Sequence, residues 1–318
     1  PIQSGREVRL QDRRVRHVLG HAVGVDSDAR PRARAQHGHR AAAHVEREDR
    51  GFDAVAVTDR VQRRRQLELA ARDPDREVEV GPHRTGCVRN NIPLPAEIKT
   101  LPELLGDSAY RTAYMGKWHL GDELFAQHGF QHWVSIEDIY NQYFSPGRDR
   151  NTRSSYHHFL LRLGYKPDGN NQFSRDFATT VPVEHSKPSF LAQEAIKFIL
   201  ENRREPWILY VNTLEPHTPF SSALNDLHTE EEAPLPPNYP GIPEGPEPEW
   251  YRRRREQFFV RNRGKFDLRT PEGWKRMHRN YAGLCALVDQ AFARILWALE
   301  VSGQAENTIV VHTSDHGE

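Results

Sequence analysis

Residues 110–121 read YRTAYMGKWHLG, and they give the clearest indication of the fold. Residues 110–115 combine aromatic and β-branched side chains, which is typical of a β-strand. Gly116 interrupts that strand, and residues 117–121 form the loop beyond its end. The stretch therefore predicts a strand whose carboxyl end carries a lysine and a histidine, Lys117 and His119.

A short helix is predicted immediately before this strand. Thr100 and Glu103 have the spacing of a capping box, and Pro102 is tolerated because it falls in the first turn. Leucines at positions 101, 104 and 105 follow, and Gly106 ends the helix.

Two further helix–strand pairs are predicted downstream. Residues 189–202 show the period of an amphipathic helix, and the apolar run 207–212, WILYVN, predicts a strand covered on both faces. Residues 277–301 repeat the helical period and end at Gly303. Residues 308–312, TIVVH, predict a second buried strand. Helices and strands thus alternate, which indicates an α/β fold with a mostly parallel sheet sandwiched by helices.

The predicted strands have ionisable residues just beyond their carboxyl ends, where sites of parallel sheets lie. These residues are Lys117 with His119, then His217, then Asp315 with His316. Each has a plain structural alternative: a surface Lys–His pair, a histidine capping a turn, or an Asp-containing turn after a strand. Their joint occurrence at three strand ends is what favours a site.

The chemistry of these groups fits an oxyanion and a divalent cation. A lysine and a metal can neutralise spreading negative charge in a transition state, and histidine can transfer a proton near neutral pH. Asp315 suits Ca²⁺ or Mg²⁺, whereas coordination by His316 would favour Mn²⁺ or Zn²⁺.

Composition excludes several classes of function. The 318 residues carry 44 basic and 44 acidic side chains, so net charge does not favour a nucleic-acid partner.

The sequence also bears on location. We predict no membrane span, since no run of 18 apolar residues occurs, and no signal peptide in residues 1–20. A cytoplasmic location is therefore the default expectation. Cys87 and Cys285 make no disulfide framework. Oligomeric state is left open.

Residues 1–86 differ in composition from residues 87–318. The segment is rich in Arg but has no Lys, Tyr or Trp, and Phe52 is its only aromatic residue. We predict that it is disordered because it has too few large apolar side chains to offset chain entropy. Its origin has three alternatives: a basic tail that binds a polyanion, an unusual domain, or, as favoured here, translation of a GC-rich gene in the wrong frame.

The motifs of residues 87–318 resemble those of the sulfatase family. Residues 116–121, GKWHLG, match a signature of that family, residues 215–219, EPHTP, resemble its Pro-His-x-Pro element, and residues 314–317, SDHG, resemble its metal-binding strand end. The resemblance covers residues 82–318. It implies an incomplete alkaline-phosphatase-like fold and hydrolysis of a sulfate ester, carried by a small molecule or a glycan.

The resemblance also implies roles for individual residues. Lys117 and His119 would contact the sulfate and the nucleophile, and His217 would assist the leaving group. Asp315 and His316 would bind the metal, with Ca²⁺ expected first and Mg²⁺ or Mn²⁺ as alternatives. Specificity would be set by loops within residues 140–185 and 221–260, which contain no motif that names a substrate.

Two family motifs are missing from the sequence. The cysteine that becomes formylglycine lies in Cys-x-Pro-Ser-Arg, and Cys87 is followed instead by Val-Arg-Asn-Asn. The family's Asp-Asp metal pair is only faintly imitated by Asp26 and Asp28. We therefore expect a truncated chain with little or no activity. Two alternatives remain open: a phosphodiesterase or phosphonate hydrolase on the same scaffold, and a non-enzymatic polyanion-binding protein.

Overall fold

The computed structural model describes residues 82–239, 241, 245–262 and 265–315. Predictions for residues 1–81 and for His316 lie outside these described residues. The helices are α1 (Pro82–Thr85), α2 (Leu101–Leu105), α3 (Ser155–Arg162), α4 (Arg175–Ala178), α5 (Lys187–Glu201), α6 (Glu249–Asn262) and α7 (Pro271–Val301). The strands are β1 (Arg111–Gly116), β2 (His132–Val134) and β3 (Trp207–Asn212).

The described strands form one parallel sheet in the order β2–β1–β3. In its register, Tyr114 of β1 lies beside Trp133 of β2 and Tyr210 of β3. β1 and β3 confirm two strand predictions, whereas β2, with only three residues, was not predicted. Because β1 is the central strand, the loop that leaves its carboxyl end starts from a buried and fixed position.

The main core lies between the sheet and the two long helices. Ala113 and Met115 of β1 are fully buried, and they belong to the same apolar cluster as residues of α5 and α7. The buried helix residues of this cluster include Leu191, Ala195, Ile199, Ala291, Ile295 and Leu299. Both helices follow the predicted apolar period, although α7 begins six residues earlier than predicted, at Pro271.

Helix α7 is also the one helix of the described chain that could cross a membrane by its length and composition. An 18-residue window of it has a mean hydropathy of 1.4. Its apolar side chains face α5 in the core, where Ala291 and Ile295 are buried. A core helix meets the same criterion, so this finding is weak evidence for a membrane span.

Two predictions about buried strands are wrong. β3 is half-buried rather than covered on both faces, and Tyr210 is 37% exposed. Residues 308–312 form no strand in the described structure, and Val311 is 79% exposed. An apolar, β-branched run shows that a segment suits a sheet, but a strand also needs a neighbour to accept and donate its backbone hydrogen bonds.

Candidate active site

The loop after β1 leaves the sheet through a position that only glycine fits. Gly116 has φ +122°, and a Cβ at this residue would lie 1.8 Å from the backbone oxygen of Asn212 in β3. Just beyond it, the Lys117 amide donates to the Asn212 carbonyl at 3.2 Å, and the Tyr114 hydroxyl donates to the Lys117 carbonyl at 2.6 Å. The backbone of Lys117 is therefore fixed from both sides.

A buried carboxylate organises the rest of the loop. The two oxygens of Glu123 accept the backbone N–H groups of Trp118 at 2.9 Å and His119 at 2.7 Å. His119 has φ +66°, a conformation that costs free energy for a residue other than glycine. The two hydrogen bonds that Glu123 accepts offset that cost and set the direction of the His119 side chain.

Burial raises the pKa of Glu123 to about 7, and the two backbone hydrogen bonds only partly oppose this shift. We expect Glu123→Gln to loosen the loop, because an amide offers one acceptor oxygen and would place its NH₂ against the second N–H donor. Protection of the Trp118 and His119 amides from hydrogen exchange should fall about tenfold, as for the loss of one such bond.

Glu103→Gln is the control, since its carboxylate accepts the Thr100 amide at 2.9 Å outside this loop. Protection of the two loop amides should also fall in the unsubstituted protein as pH drops below about 7, because protonation converts one acceptor oxygen of Glu123 into a donor. Equal protection in Glu123→Gln and Glu103→Gln would show that Glu123 does not hold the loop.

Lys117 and His119 share an electrostatic environment with His217. Burial, the Lys117 ammonium and the Arg175 guanidinium lower the pKa of His119 to about 4, and His217 contributes in the same direction. Burial and Arg175 also lower the pKa of Lys117. His119 is thus neutral near pH 7. As a neutral imidazole, it can donate or accept a hydrogen bond with a substrate.

His217 lies in the turn after β3. Its Nδ1 is 2.7 Å from the carbonyl oxygen of Thr218, so Nδ1 carries the proton and donates a hydrogen bond to that carbonyl. Nε2 is then the ring atom available to a ligand. His217 lines a cavity of about 20 Å³ together with Arg175, Lys187 and Glu215.

A buried ion-pair cluster, formed by Glu137, Arg175 and Lys187, supports this region. The Glu137 carboxylate accepts two hydrogen bonds from Arg175, both at 2.6 Å, and one from the Lys187 ammonium at 3.0 Å. The Glu137 side chain is 1% exposed. Burial opposes ionisation, but Lys187 and Arg175 outweigh it and lower the pKa of Glu137 to about 2.

This ion-pair cluster was missed by sequence reasoning. Arg175 and Lys187 follow Glu137 by 38 and 50 residues, Arg175 in a segment predicted to be loop and Lys187 just before the predicted helix. None of them belongs to a recognisable motif. The available signal was Lys187, which lies at the start of an amphipathic helix. A positive charge is unfavourable there because of the helix dipole, so this lysine needs an acidic partner.

The predicted metal residues are only partly placed by the structure. Asp315 is exposed, and its carboxylate is near enough to Lys117 to raise the pKa of that lysine against the stronger lowering effects. His316 lies outside the described residues. Within the described ranges, no three His, Cys, Asp or Glu side chains come together as metal ligands. A hard cation needs six or more oxygen ligands, so the described residues do not by themselves form its site.

The fold thus brings Lys117, His119 and His217 to one edge of the sheet. The charge of Asp315 raises the pKa of Lys117 there. Their catalytic roles stay predictions. A model of the sulfatase family matches residues 78–318. The chain belongs to the sulfatase family. Membership and the parallel sheet together confirm the predicted α/β fold class.

Curated relatives of this sulfatase-family chain are distant in sequence. It is 23% identical to the multifunctional alkaline phosphatase superfamily protein PehA of Trinickia caryophylli, over 73% of this chain and 49% of that protein. It is 23% identical to an N-acetylglucosamine-6-O-sulfatase of Bacteroides thetaiotaomicron, over 74% of this chain and 47% of that protein. The chain therefore spans about half the length of each of these two curated relatives.

Among solved structures, the phosphonate monoester hydrolase SpPMH of Silicibacter pomeroyi is similar to this chain. The match has a TM-score of 0.49 and 16% identity, and it covers 71% of this chain and 48% of that one.

Proposed function

We propose that this sulfatase-family chain binds a sulfate ester at the carboxyl end of β1, in a site of the kind that hydrolyses such esters. The observation that carries the proposal is the fixed placement of Lys117 and His119 beside His217. The family match supports it, as do relatives named as an ulvan-active sulfatase and an N-acetylglucosamine-6-O-sulfatase. These names favour a sulfated glycan as the substrate.

Each residue has a physical role in this proposal. The Lys117 ammonium neutralises charge on the sulfuryl oxygens, where it grows in the transition state. His119, neutral at pH 7, donates or accepts a hydrogen bond at the same group. His217 donates its Nδ1–H to the Thr218 carbonyl, so Nε2 is the ring atom available to the leaving oxygen; in the imidazolium form, its Nε2–H supplies the proton that this oxygen takes up when the S–O bond breaks.

The cofactors belong to the proposal as well. A divalent cation, Ca²⁺ first and Mg²⁺ or Mn²⁺ next, would use Asp315 and His316 as ligands and would polarise the sulfate. The described residues supply no three-residue ligand group, so they do not by themselves hold this cation. Formylglycine is the family's nucleophile, and the sequence has no Cys-x-Pro-Ser-Arg segment to provide it. We therefore expect residues 1–318 to bind sulfate but to turn over an aryl sulfate negligibly.

Lys117→Ala is expected to weaken binding of inorganic sulfate at least tenfold, because a charge-assisted hydrogen bond to a partly buried anion is lost. Titration calorimetry of residues 1–318 measures this affinity. Lys265→Ala is the matched control, since that lysine pairs with Asp176 on the surface.

Three outcomes are informative. Equal affinity in Lys117→Ala and the unsubstituted protein would reject the site. Phosphate binding much tighter than sulfate would favour the phosphoesterase or phosphonate alternative. Aryl sulfate turnover that disappears in Lys117→Ala would confirm the site but contradict the expected inactivity.

A further inference from the structure

Arg175 has one hydrogen-bonding edge that none of the described residues uses. Its Nε and Nη2 both donate to Glu137 at 2.6 Å, and Nη2 also donates to the Tyr140 hydroxyl at 2.7 Å. Its Nη1 makes no hydrogen bond with any described residue. Since a guanidinium is planar and rigid, fixing one edge on Glu137 also fixes the direction of the unused one.

The buried ion-pair cluster has an excess of positive charge. Glu137 supplies one negative charge, whereas Arg175 and Lys187 supply two positive charges. The next carboxyl, Glu215, does not balance them readily, because burial raises its pKa and so favours the neutral form. Two cations that share one buried carboxylate leave one positive charge uncompensated, so the arrangement favours an added anion.

The unused edge belongs to a residue beside the proposed reaction centre. Arg175 and His217 line the same cavity. The charge of Arg175 also acts on His119 and Lys117. An anion on Arg175 would therefore sit next to the ester held by Lys117, on the leaving-group side marked by His217.

We propose that Arg175 binds a second anionic group of the substrate, a sulfate or carboxylate carried near the ester that Lys117 binds. The substrate class is then a sugar with two negative groups close together. This inference rests on the proposed function and adds a specificity residue to it. Glu137 and Tyr140 are positioning residues that aim the guanidinium.

Two stable probes test the inference by calorimetry: ethanesulfonate, with one anionic group, and ethane-1,2-disulfonate, with two. We expect the protein of residues 1–318 to bind the disulfonate about tenfold more tightly, as one additional charge-assisted hydrogen bond predicts. Arg175→Lys should remove this difference and leave ethanesulfonate affinity within about twofold. The single ammonium of a lysine keeps the charge but is occupied by Glu137.

Arg255→Lys is the matched control, because Arg255 makes the same two-bond pair with Glu247, at 2.6 and 2.5 Å, in a part of the chain that does not line the cavity. It should keep the tenfold preference. Equal affinity of the unsubstituted protein for the two probes would overturn the inference without any variant. Equal weakening of both probes in Arg175→Lys would also overturn it, since Arg175 would then bind the first anion. Binding of neither probe would instead reject the proposed function.

Discussion

Glu137→Gln is expected to lower the free energy of unfolding by about 3–5 kcal/mol, the cost of leaving buried charges without their partner. Glu137 is the only carboxylate that bonds both Arg175 and Lys187 among the described contacts. The amide keeps the shape but not the charge, so two buried cations would face each other. Urea unfolding followed by circular dichroism measures the difference.

Glu205→Gln is the matched control for this variant. Glu205 also pairs with an arginine, Arg111, but both side chains are about half exposed. Exposed pairs contribute roughly 0–1 kcal/mol, so the control should change stability little. If the two variants lost equal stability, the cluster would not be a structural support of the site.

The same group predicts a dependence on pH. The pKa of Glu137 is lowered from 4.5 to about 2, so the folded protein binds fewer protons than the unfolded chain between these values. Its contribution to stability is present above pH 4.5 and is lost as pH falls toward 2. About 3 kcal/mol of acid-dependent stability should therefore be absent from Glu137→Gln, in agreement with the cost estimated above.

Gly116→Ala is expected to destabilise the protein by roughly 3–5 kcal/mol, from backbone strain together with a steric clash. The residue has φ +122°, and the new methyl would lie 1.8 Å from the Asn212 oxygen. Relief of this contact requires β1 and β3 to separate where the Lys117 loop begins. Sulfate binding should decrease together with stability.

Gly164→Ala separates the two causes. Gly164 also has a positive φ, +86°, but the space that a methyl group would occupy there has no neighbouring atom within 4 Å. This control should show only the backbone cost, about 1–2 kcal/mol. A Gly116→Ala variant no less stable than Gly164→Ala would show that the strands yield easily and that the loop is not fixed by the sheet.

Sequence reasoning succeeded where a short segment contains its own signal. The strand of residues 207–212 and the helix ended by Gly303 were found from apolar period and turn residues alone. It failed for residues 308–312, whose composition suits a strand but which have no ladder partner in the described part of the chain. Strand pairing depends on what lies beside a segment, and local composition does not carry that information.

The sequence alone determined the α/β class, the family and three site candidates, Lys117, His119 and His217, because each is marked by neighbours within a few positions. Only the tertiary structure decided that Glu123 holds the loop and that Glu137 binds Arg175 and Lys187. Buried charges must be paired wherever the fold brings them together, and their partners can be tens of residues away. The residues next to Glu137, Arg175 and Lys187 in the sequence therefore do not reveal that these three side chains pair. They also do not reveal the unused edge of Arg175 that results from the pairing.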